Sequence, residues 1–224
     1  MTLSAQAIGR DWLAGRLSGA GQREPLVPGD VRVPAPAAGQ PSQPGRPAQS
    51  SGSEIDFDKA RMPAAVLVPL IARPGGITIL LTQRAGHLSR HAGQVAFPGG
   101  RCDPEDGTIV DTALREAREE VGLDPGRVDV LGLLPQYRTR TGFLVTPVVG
   151  WIEPPFTLAP DPGEVADVFE MPLAFALDAA NHQRHHRDTD GARRYFYVLP
   201  FEDRYIWGAT AAMLVNFHHV LTSG

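Results

Sequence analysis

Residues 115–123, with the sequence Arg-Glu-Ala-Arg-Glu-Glu-Val-Gly-Leu, constrain the fold of this chain more than any other segment. At about 100° per residue, Glu116, Glu119 and Glu120 lie on one side of a helix. The opposite side carries an apolar stripe, which consists of Val110, Leu114, Ala117 and Val121. The segment therefore predicts a helix that packs through one face, concentrates negative charge on the other and ends at Gly122.

A cluster of acids on a helix has two ordinary explanations, a solvated face or a bound cation. Like charges at these spacings each cost roughly 0.2–0.5 kcal/mol in an isolated helix. Taken alone, the cluster favours the solvated face. Just upstream, however, Phe97-Pro98-Gly99-Gly100 is a turn sequence that lets backbone approach a ligand. Three further acids, Asp103, Glu105 and Asp106, follow that turn.

Together these residues resemble the Nudix box, in which a glycine and an acid precede Arg-Glu-U-x-Glu-Glu-x-Gly-U, where U is a bulky apolar residue. Five residues match its second half: Arg115, Glu116, Glu119, Glu120 and Gly122. Chance would give this match on the order of 10⁻⁴ times in a chain of this length. The resemblance implies an α/β fold, an αβα sandwich with a mixed β-sheet between helices. It also implies a hydrolase that cleaves diphosphates with Mg²⁺ or Mn²⁺.

The match departs from the box at two places. The spacing from Gly100 to Asp106 is the usual one, but Asp106 and Arg115 are one residue farther apart than in the box. The extra residue precedes the helix and leaves the relative placement of the glutamates unchanged. We therefore expect Glu105 or Asp106 only to cap or brace the loop. Ala117 also stands where the box normally has a larger apolar residue.

Residues 80–100 resemble the signature of the coenzyme A pyrophosphatase branch of Nudix hydrolases, and similarity continues at residues 195–197 and 204–210. At one position Ser89 replaces the arginine of the signature, with Arg90 beside it. The resemblance implies cleavage of coenzyme A, or its acyl or oxidised forms, to 3′,5′-ADP and a 4′-phosphopantetheine product. The alternatives are a hydrolase of another nucleoside diphosphate derivative, such as ADP-ribose or a dinucleotide, and a Nudix-fold binding module without catalysis.

The predicted metal ligands follow from the spacing of the glutamates. Glu116 and Glu120 lie one helical turn apart and can share a divalent cation through their oxygens, with Glu119 completing the cluster. We expect Arg115 to orient a carboxylate through a two-pronged hydrogen bond rather than to contact substrate.

Hydrolysis also needs a group that activates water. By family resemblance this group is a glutamate of the cluster, such as Glu119 or Glu120, or one from a later loop. Glu164 is the candidate from the later loop, Glu170 is its rival, and a plain surface acid is the alternative for Glu164. The residues predicted to bind substrate are Arg84, Arg90, Gly99, Gly100 and Arg101.

Two other patterns favour structural explanations. The group of His182, His185 and His186 stands among polar residues, which favours a solvated loop over a zinc site. Residues 195–197, Tyr-Phe-Tyr, alternate as in a strand, which favours core packing over base stacking.

Composition limits the partners. With 224 residues, 42% of them hydrophobic, the chain can bury a sizeable core, and a net charge of −4 gives no argument for binding nucleic acid or membranes. The single cysteine, Cys102, excludes an internal disulfide and favours a reducing, cytoplasmic setting. A transit peptide stays open, because Arg10, Arg16 and Arg23 lie among small residues. The resemblance also leaves a homodimer open.

Two parts of unequal character are predicted along the chain. Residues 1–55 are rich in Pro, Gly and Ala and predict a flexible tail that packs against nothing, with a short helix at residues 5–17. Residues 56–224 predict the Nudix domain. Its predicted strands cover residues 64–70, 77–83, 128–134, 144–152, 166–170 and 194–200, and its predicted helices cover residues 109–121 and 210–221.

Overall fold

The computed structural model describes residues 8–27, 29, 32–34, 62–89, 91–189 and 192–223. The helices in these ranges are α1 (Arg10–Leu17), α2 (Ile109–Val121), α3 (Leu173–Ala176) and α4 (Ala209–Thr222). The strands are β1 (Arg32–Pro34), β2 (Met62–Arg73), β3 (Gly76–Arg84), β4 (Val95–Ala96), β5 (Gly99–Arg101), β6 (Val128–Leu133), β7 (Tyr137–Arg138), β8 (Phe143–Ile152), β9 (Val165–Pro172), β10 (Gln183–Thr189), β11 (Ala192–Phe201) and β12 (Arg204–Trp207).

A mixed sheet forms the centre of the molecule. Its strand order is β4-β3-β2-β8-β6, with β5 also paired to β2, β7 to β8 and β9 to β3. Strands β2 and β8 are parallel, from Met62 opposite Phe143 to Ile71 opposite Ile152. The other strand pairs of this sheet are antiparallel. The predicted mixed sheet is therefore confirmed.

Helices cover both faces of this sheet. Helix α2 packs on one face through Ala113, Ala117 and Val121, which join buried sheet residues such as Leu67 and Leu80. The opposite face has a larger core, to which α1, α3 and α4 contribute. The αβα sandwich is confirmed, and the apolar stripe of α2 is the side that meets the sheet.

A second sheet joins β1, β10, β11 and β12. Strands β10 and β11 form an antiparallel hairpin, and β12 pairs with the other end of β11. The prediction of a solvated loop at the histidines is wrong, because His185 and His186 lie on β10, opposite Phe196 and Tyr195. The prediction failed because strand pairing fixes polar residues here, whereas the sequence shows no apolar alternation.

The N-terminal segment contradicts the prediction of a tail that packs against nothing. Leu13 and Leu17 of α1 are 0% and 1% exposed and belong to the core below α4. Arg16 Nε donates to the carbonyl oxygen of Leu221 at 3.0 Å. The amide of Asn216 and the backbone of Val27 exchange two hydrogen bonds, of 2.8 and 2.9 Å.

That prediction failed because composition measures the density of apolar residues and not where each one lies. A few well-placed leucines are enough to dock a short helix when a complementary surface already exists. The short helix itself is confirmed, at residues 10–17. Residues 35–61, with the predicted domain boundary near residue 56, lie outside the described ranges. No helix in those ranges is long and apolar enough to cross a membrane.

Candidate active site

Helix α2 is fixed at both ends by its own sequence. The Thr108 hydroxyl accepts a hydrogen bond from the backbone N–H of Asp111 at 3.2 Å, which caps the N-terminus. Gly122 ends the helix with φ 69°, a left-handed conformation that favours glycine. A Cβ at Gly122 would lie 2.7 Å from the backbone nitrogen of Ala159, so glycine also lets a later loop pack against the helix end.

Two glycines of β5 bring the glutamates against the sheet. The backbone N–H of Gly99 donates to Glu120 Oε2 at 3.2 Å. A Cβ at Gly100 would lie 2.6 Å from the carboxylate of Glu116, so a larger residue there would displace that carboxylate from its position. The structure thus gives Gly99 and Gly100, predicted to bind substrate, a direct part in placing the carboxylates.

Glu120 is a buried carboxylate, 4% exposed. Burial raises its pKa to about 7, against the lowering effects of the Gly99 N–H and of Arg84, whose Nη1 lies 3.6 Å from Glu120 Oε1. The negative charges of Glu164 and Glu116 contribute to this rise in the pKa of Glu120. A bound cation would offset both the burial and the repulsion.

Glu116 occupies a similar position one turn earlier. Its side chain is 17% exposed, and burial is the largest cause of its raised pKa. Arg115 Nη1 donates to Glu116 Oε1 at 3.0 Å and opposes that rise. Glu119 and Glu164 add like charge and raise the pKa of Glu116. Glu116 and Glu120 are thus two shielded carboxylates that destabilise each other when both are ionised.

Arg115 holds the charged network together. Its guanidinium donates to Asp106 through two parallel bonds, Nε to Oδ1 at 2.9 Å and Nη2 to Oδ2 at 3.0 Å. Nη1 donates to both Glu116 and Glu119 at 3.0 Å, and Nη2 donates to the Arg101 carbonyl at 3.1 Å. This geometry fits the predicted role of orienting carboxylates rather than contacting substrate.

Asp106 braces the loop before the helix, as the sequence predicted for Glu105 or Asp106. Hydrogen bonds from Arg115 and then from the backbone N–H of Asp103 hold the pKa of Asp106 well below its usual range. The Thr112 hydroxyl donates to the same carboxylate at 2.8 Å. The extra loop residue is accommodated because Asp106 still reaches the arginine.

Glu119 differs from the other two glutamates. Its side chain is 59% exposed, and its carboxylate accepts from Arg115 on the outer side of α2. Across the described part of the chain, no group of three or more His, Cys, Asp or Glu side chains is arranged to hold a metal ion. Of the three predicted ligands, Glu120 is buried, Glu116 is partly buried and Glu119 is exposed, and Arg115 Nη1 links Glu119 to Glu116.

The loop after β8 carries Glu164 to the same place. The backbone N–H of Asp161 donates to the Glu120 carbonyl at 2.9 Å, and Ala85 N–H donates to the Glu164 carbonyl at 2.8 Å. The exposed Glu164 lies close enough to raise the pKa values of Glu116 and Glu120. The sequence-based prediction did not include Asp161, although Asp-Pro-Gly at residues 161–163 is a recognisable turn signal.

Glu170, the rival of Glu164, belongs to a separate ion pair. It accepts a hydrogen bond from Arg73 Nε at 3.0 Å and one from the Thr78 hydroxyl at 2.6 Å. The bond from Arg73 is the largest cause of its lowered pKa. Glu170 lies six residues beyond Glu164, which corresponds to about 20 Å along an extended strand. This placement favours Glu164 over Glu170 as the residue near the buried carboxylates.

The predicted substrate-binding arginines have different surroundings. Arg84 ends β3 beside Glu120, and its buried Nε has no hydrogen-bond partner among the described residues. Such an atom is one that a ligand oxygen can satisfy. Arg101 is exposed, and its carbonyl oxygen anchors Arg115. Arg90 lies outside the described residues.

Comparison with known proteins identifies the family. A model of the NUDIX domain matches residues 61–195, which include the glutamates, Arg115 and Glu164. This chain belongs to the Nudix hydrolase family. A curated relative, the uncharacterized Nudix hydrolase NudL of Yersinia enterocolitica, is 44% identical over 151 residues, which cover 67% of this chain and 77% of the relative. The NudL of Pectobacterium atrosepticum is 47% identical over 159 residues, which cover 67% and 78%.

A solved structure, the binary complex of a C. elegans Ap4A hydrolase, aligns with 49% of this chain and 80% of its own. Its sequence identity is 21% and the TM-score is 0.42. The assignment to the Nudix hydrolases rests on the domain match and on the sequence relatives.

Nudix hydrolases generally use divalent metal ions, and the residues of this chain fit such an ion. Carboxylate oxygens are the ligands that hard divalent cations prefer, and Glu116 and Glu120 supply them one turn apart. Burial is the largest cause of their raised pKa values, and a bound divalent cation would favour the ionised carboxylates. Because Gly100 has no side chain, its backbone lies close to Glu116 without blocking the carboxylate.

Proposed function

We propose that this Nudix hydrolase cleaves the diphosphate of coenzyme A, or of its acyl or oxidised forms, with Mg²⁺ or Mn²⁺ as cofactor. The products would be 3′,5′-ADP and a 4′-phosphopantetheine. One observation carries the choice of substrate: the block that resembles the coenzyme A pyrophosphatase signature contacts the buried carboxylate from two sides. Arg84 lies 3.6 Å from Glu120, and Gly99 N–H donates to it at 3.2 Å.

In this proposal Glu116 and Glu120 hold the cation, and Arg115 keeps Glu116 and Glu119 oriented. When bound, a divalent cation neutralises phosphoryl oxygens and favours attack by water in line with the leaving group. Arg84 would bind a diphosphate oxygen through its buried Nε, which has no hydrogen-bond partner among the described residues. Glu164 would accept the proton of the attacking water, since it is exposed and lies beside the buried pair. The proton passes to its carboxylate as the P–O bond to the leaving phosphate breaks.

Two alternative functions would give different results in the substrate panel described below. A hydrolase of ADP-ribose or of a dinucleotide would use the same carboxylates on another nucleoside diphosphate. A binding module without catalysis is disfavoured, because Glu116, Glu119 and Glu120 are all retained.

The test is a panel of coenzyme A, dephospho-coenzyme A, ADP-ribose and a dinucleotide, assayed with Mg²⁺ and with Mn²⁺, with products identified by mass. An arginine or lysine side chain that pairs with the 3′-phosphate of coenzyme A should add about 1.5–3 kcal/mol to the binding free energy. The kcat/KM for coenzyme A should therefore exceed that for dephospho-coenzyme A roughly 10- to 100-fold. If Arg90 is the side chain that binds the 3′-phosphate, Arg90→Ala should lower this preference. Arg84→Ala should instead lower the rates with coenzyme A and with dephospho-coenzyme A. Efficient cleavage of ADP-ribose without cleavage of coenzyme A would contradict the choice of substrate.

We also propose a cytoplasmic location, and a homodimer as an oligomeric state that the family resemblance leaves open. The location is supported by Cys102, a free thiol that suits a reducing compartment. Light scattering on the purified full chain would test the dimer, and a monomer at micromolar concentration would contradict it.

A further inference from the structure

A short turn at residues 161–163, Asp-Pro-Gly, comes directly before Glu164, the proposed proton acceptor. Glu164 is exposed, so packing of its own side chain does not fix its place. Its position therefore depends on the backbone that carries it. This position matters for proton transfer, because a general base has to lie within hydrogen-bond reach of the proton that it accepts.

Asp161 accepts hydrogen bonds from the backbone N–H groups of the three residues that follow Pro162. Its Oδ1 accepts from the Gly163 N–H at 2.8 Å. Its carbonyl oxygen accepts from the Glu164 N–H at 3.0 Å and from the Val165 N–H at 2.8 Å. An aspartate side chain that bonds to the backbone two residues later stabilises a turn of this kind. The conformation of the chain up to Val165 is thus set by Asp161.

Asp161 also attaches this turn to α2. Its backbone N–H donates to the carbonyl of Glu120, the residue that carries the buried carboxylate, at 2.9 Å. At the other end of the turn, the Ala85 N–H donates to the Glu164 carbonyl at 2.8 Å. Both backbone groups of Glu164 are therefore bonded. This attachment brings the Glu164 carboxylate to where its charge raises the pKa values of Glu116 and Glu120.

The chain contains the same Asp-Pro-Gly tripeptide a second time, at residues 124–126. Asp124 Oδ1 accepts from the Gly126 N–H at 2.9 Å, and the Asp124 carbonyl accepts from the Arg127 N–H at 3.0 Å. These two hydrogen bonds match those of the first turn. The second turn leads into β6, however, and has Arg127 where the first has Glu164. The two turns thus share their local bonding and differ in the residue that they carry.

We propose that Asp161 is a positioning residue for the hydrolysis, because its carboxylate holds the turn that places Glu164 beside Glu120. This role rests on the proposed function, in which Glu164 accepts the proton of the attacking water. Without the bond from the Gly163 N–H, the turn would sample other conformations and Glu164 would be misplaced in many of the molecules. The groups that bind the cation and the diphosphate would stay where they are, so turnover should fall without a loss of substrate binding.

The test measures kcat and KM of the full-length protein with coenzyme A and with ADP-ribose. Asp161→Ala should lower kcat about 10-fold, less than Glu164→Gln does, and should change KM by less than about twofold. Asp161→Asn should keep kcat within about twofold of wild type, because its amide oxygen can still accept from the Gly163 N–H. Asp124→Ala is the matched control. It removes the same kind of hydrogen bond and should leave kcat within about twofold of wild type.

A double variant separates positioning from a general loss of structure. Since Asp161 acts through Glu164, Asp161→Ala should cause no further loss of kcat in a Glu164→Gln background. Wild-type kcat in Asp161→Ala, an equal loss in the two backgrounds, or an equal loss in Asp124→Ala would overturn the inference alone. Wild-type kcat in Glu164→Gln would instead contradict the proposed proton acceptor, and the role of Asp161 with it.

Discussion

Helix α2 forms where its own sequence predicts a helix, whereas helix α1 is stabilised by contacts with distant parts of the chain. Helix α2 has 13 residues, a threonine cap, a glycine end and an apolar stripe opposite its acids, so its own sequence predicts it. Helix α1 has eight residues and follows Gly9, which has no side chain to cap it. Its leucines are buried by α4 and the central sheet. One helix is specified locally and carries the chemistry, whereas the other is specified by distant contacts and closes the core.

This difference predicts that changes in the two helices separate activity from stability. The largest effect should come from the buried carboxylate of α2. Glu120→Gln should lower turnover roughly 10²- to 10⁴-fold while the protein stays folded, because the change removes a metal charge. Glu119→Gln should also lower turnover, and circular dichroism with steady-state kinetics would measure both. Near wild-type turnover in the two variants would contradict the proposed site.

A change in α1 should have the reverse effect. Leu17→Ala leaves a cavity in the core and should lower the free energy of unfolding by about 2–5 kcal/mol, with turnover unchanged below the melting temperature. Leu26→Ala is the matched control, since Leu26 is 53% exposed and should change stability by less than about 0.5 kcal/mol. Thermal unfolding measures both.

Removing residues 1–27 tests the same region as a whole. This deletion would lose the buried leucines and the hydrogen bonds of Arg16 and Val27, so we expect an unstable protein. A truncated chain as stable as the wild type would show that α1 adds nothing to the core.

The two later acids give a smaller contrast. Glu164→Gln should lower turnover about 10²-fold, because it removes the proposed proton acceptor beside the carboxylates. Glu170→Gln is the control and should leave turnover within about twofold of wild type, since its carboxylate binds Arg73 and Thr78. The reverse result would move the base to β9.

The smallest effect concerns pH and the ion pair of Glu170. Its pKa is lowered in the folded protein, mainly by the hydrogen bond from Arg73. The pair therefore adds stability above the unfolded pKa of about 4.3 and loses it as the pH falls through the folded value. Between pH 5 and pH 3, wild type should lose about 1 kcal/mol more stability than Glu170→Gln. Equal losses of unfolding free energy in the two proteins would show that the ion pair contributes nothing measurable to stability.

The sequence predicted those parts of the fold that carry a local signal. The bounds of α2 agree with the prediction, and the six predicted strands agree to within a few residues, whereas the seven-residue β10 was predicted as a loop. Strands β4, β5 and β7 have two or three residues, which is too short for any period to appear, so pairing partners define them. Helix α1 docks through contacts that composition does not encode.

The candidate site was likewise predicted only where its residues carry a local sequence signal. Helical spacing placed Glu116 and Glu120 on one face, and turn chemistry placed Gly99 and Gly100 beside them. Spacing could not separate the buried carboxylates from the exposed Glu119, because that difference depends on where Arg115 points. Nor could it decide between Glu164, which immediately precedes β9, and Glu170, which lies within β9 opposite Leu80.

Direct metal binding tests the central claim, that the buried pair on α2 holds the cation used in hydrolysis. Mn²⁺ would be titrated into the full-length protein and followed by electron paramagnetic resonance, without substrate, in wild type and in the Glu116→Gln/Glu120→Gln double variant. The account predicts Mn²⁺ binding by wild type and affinity at least about 10-fold weaker in the folded double variant. Equal Mn²⁺ affinity in the two folded proteins would contradict it.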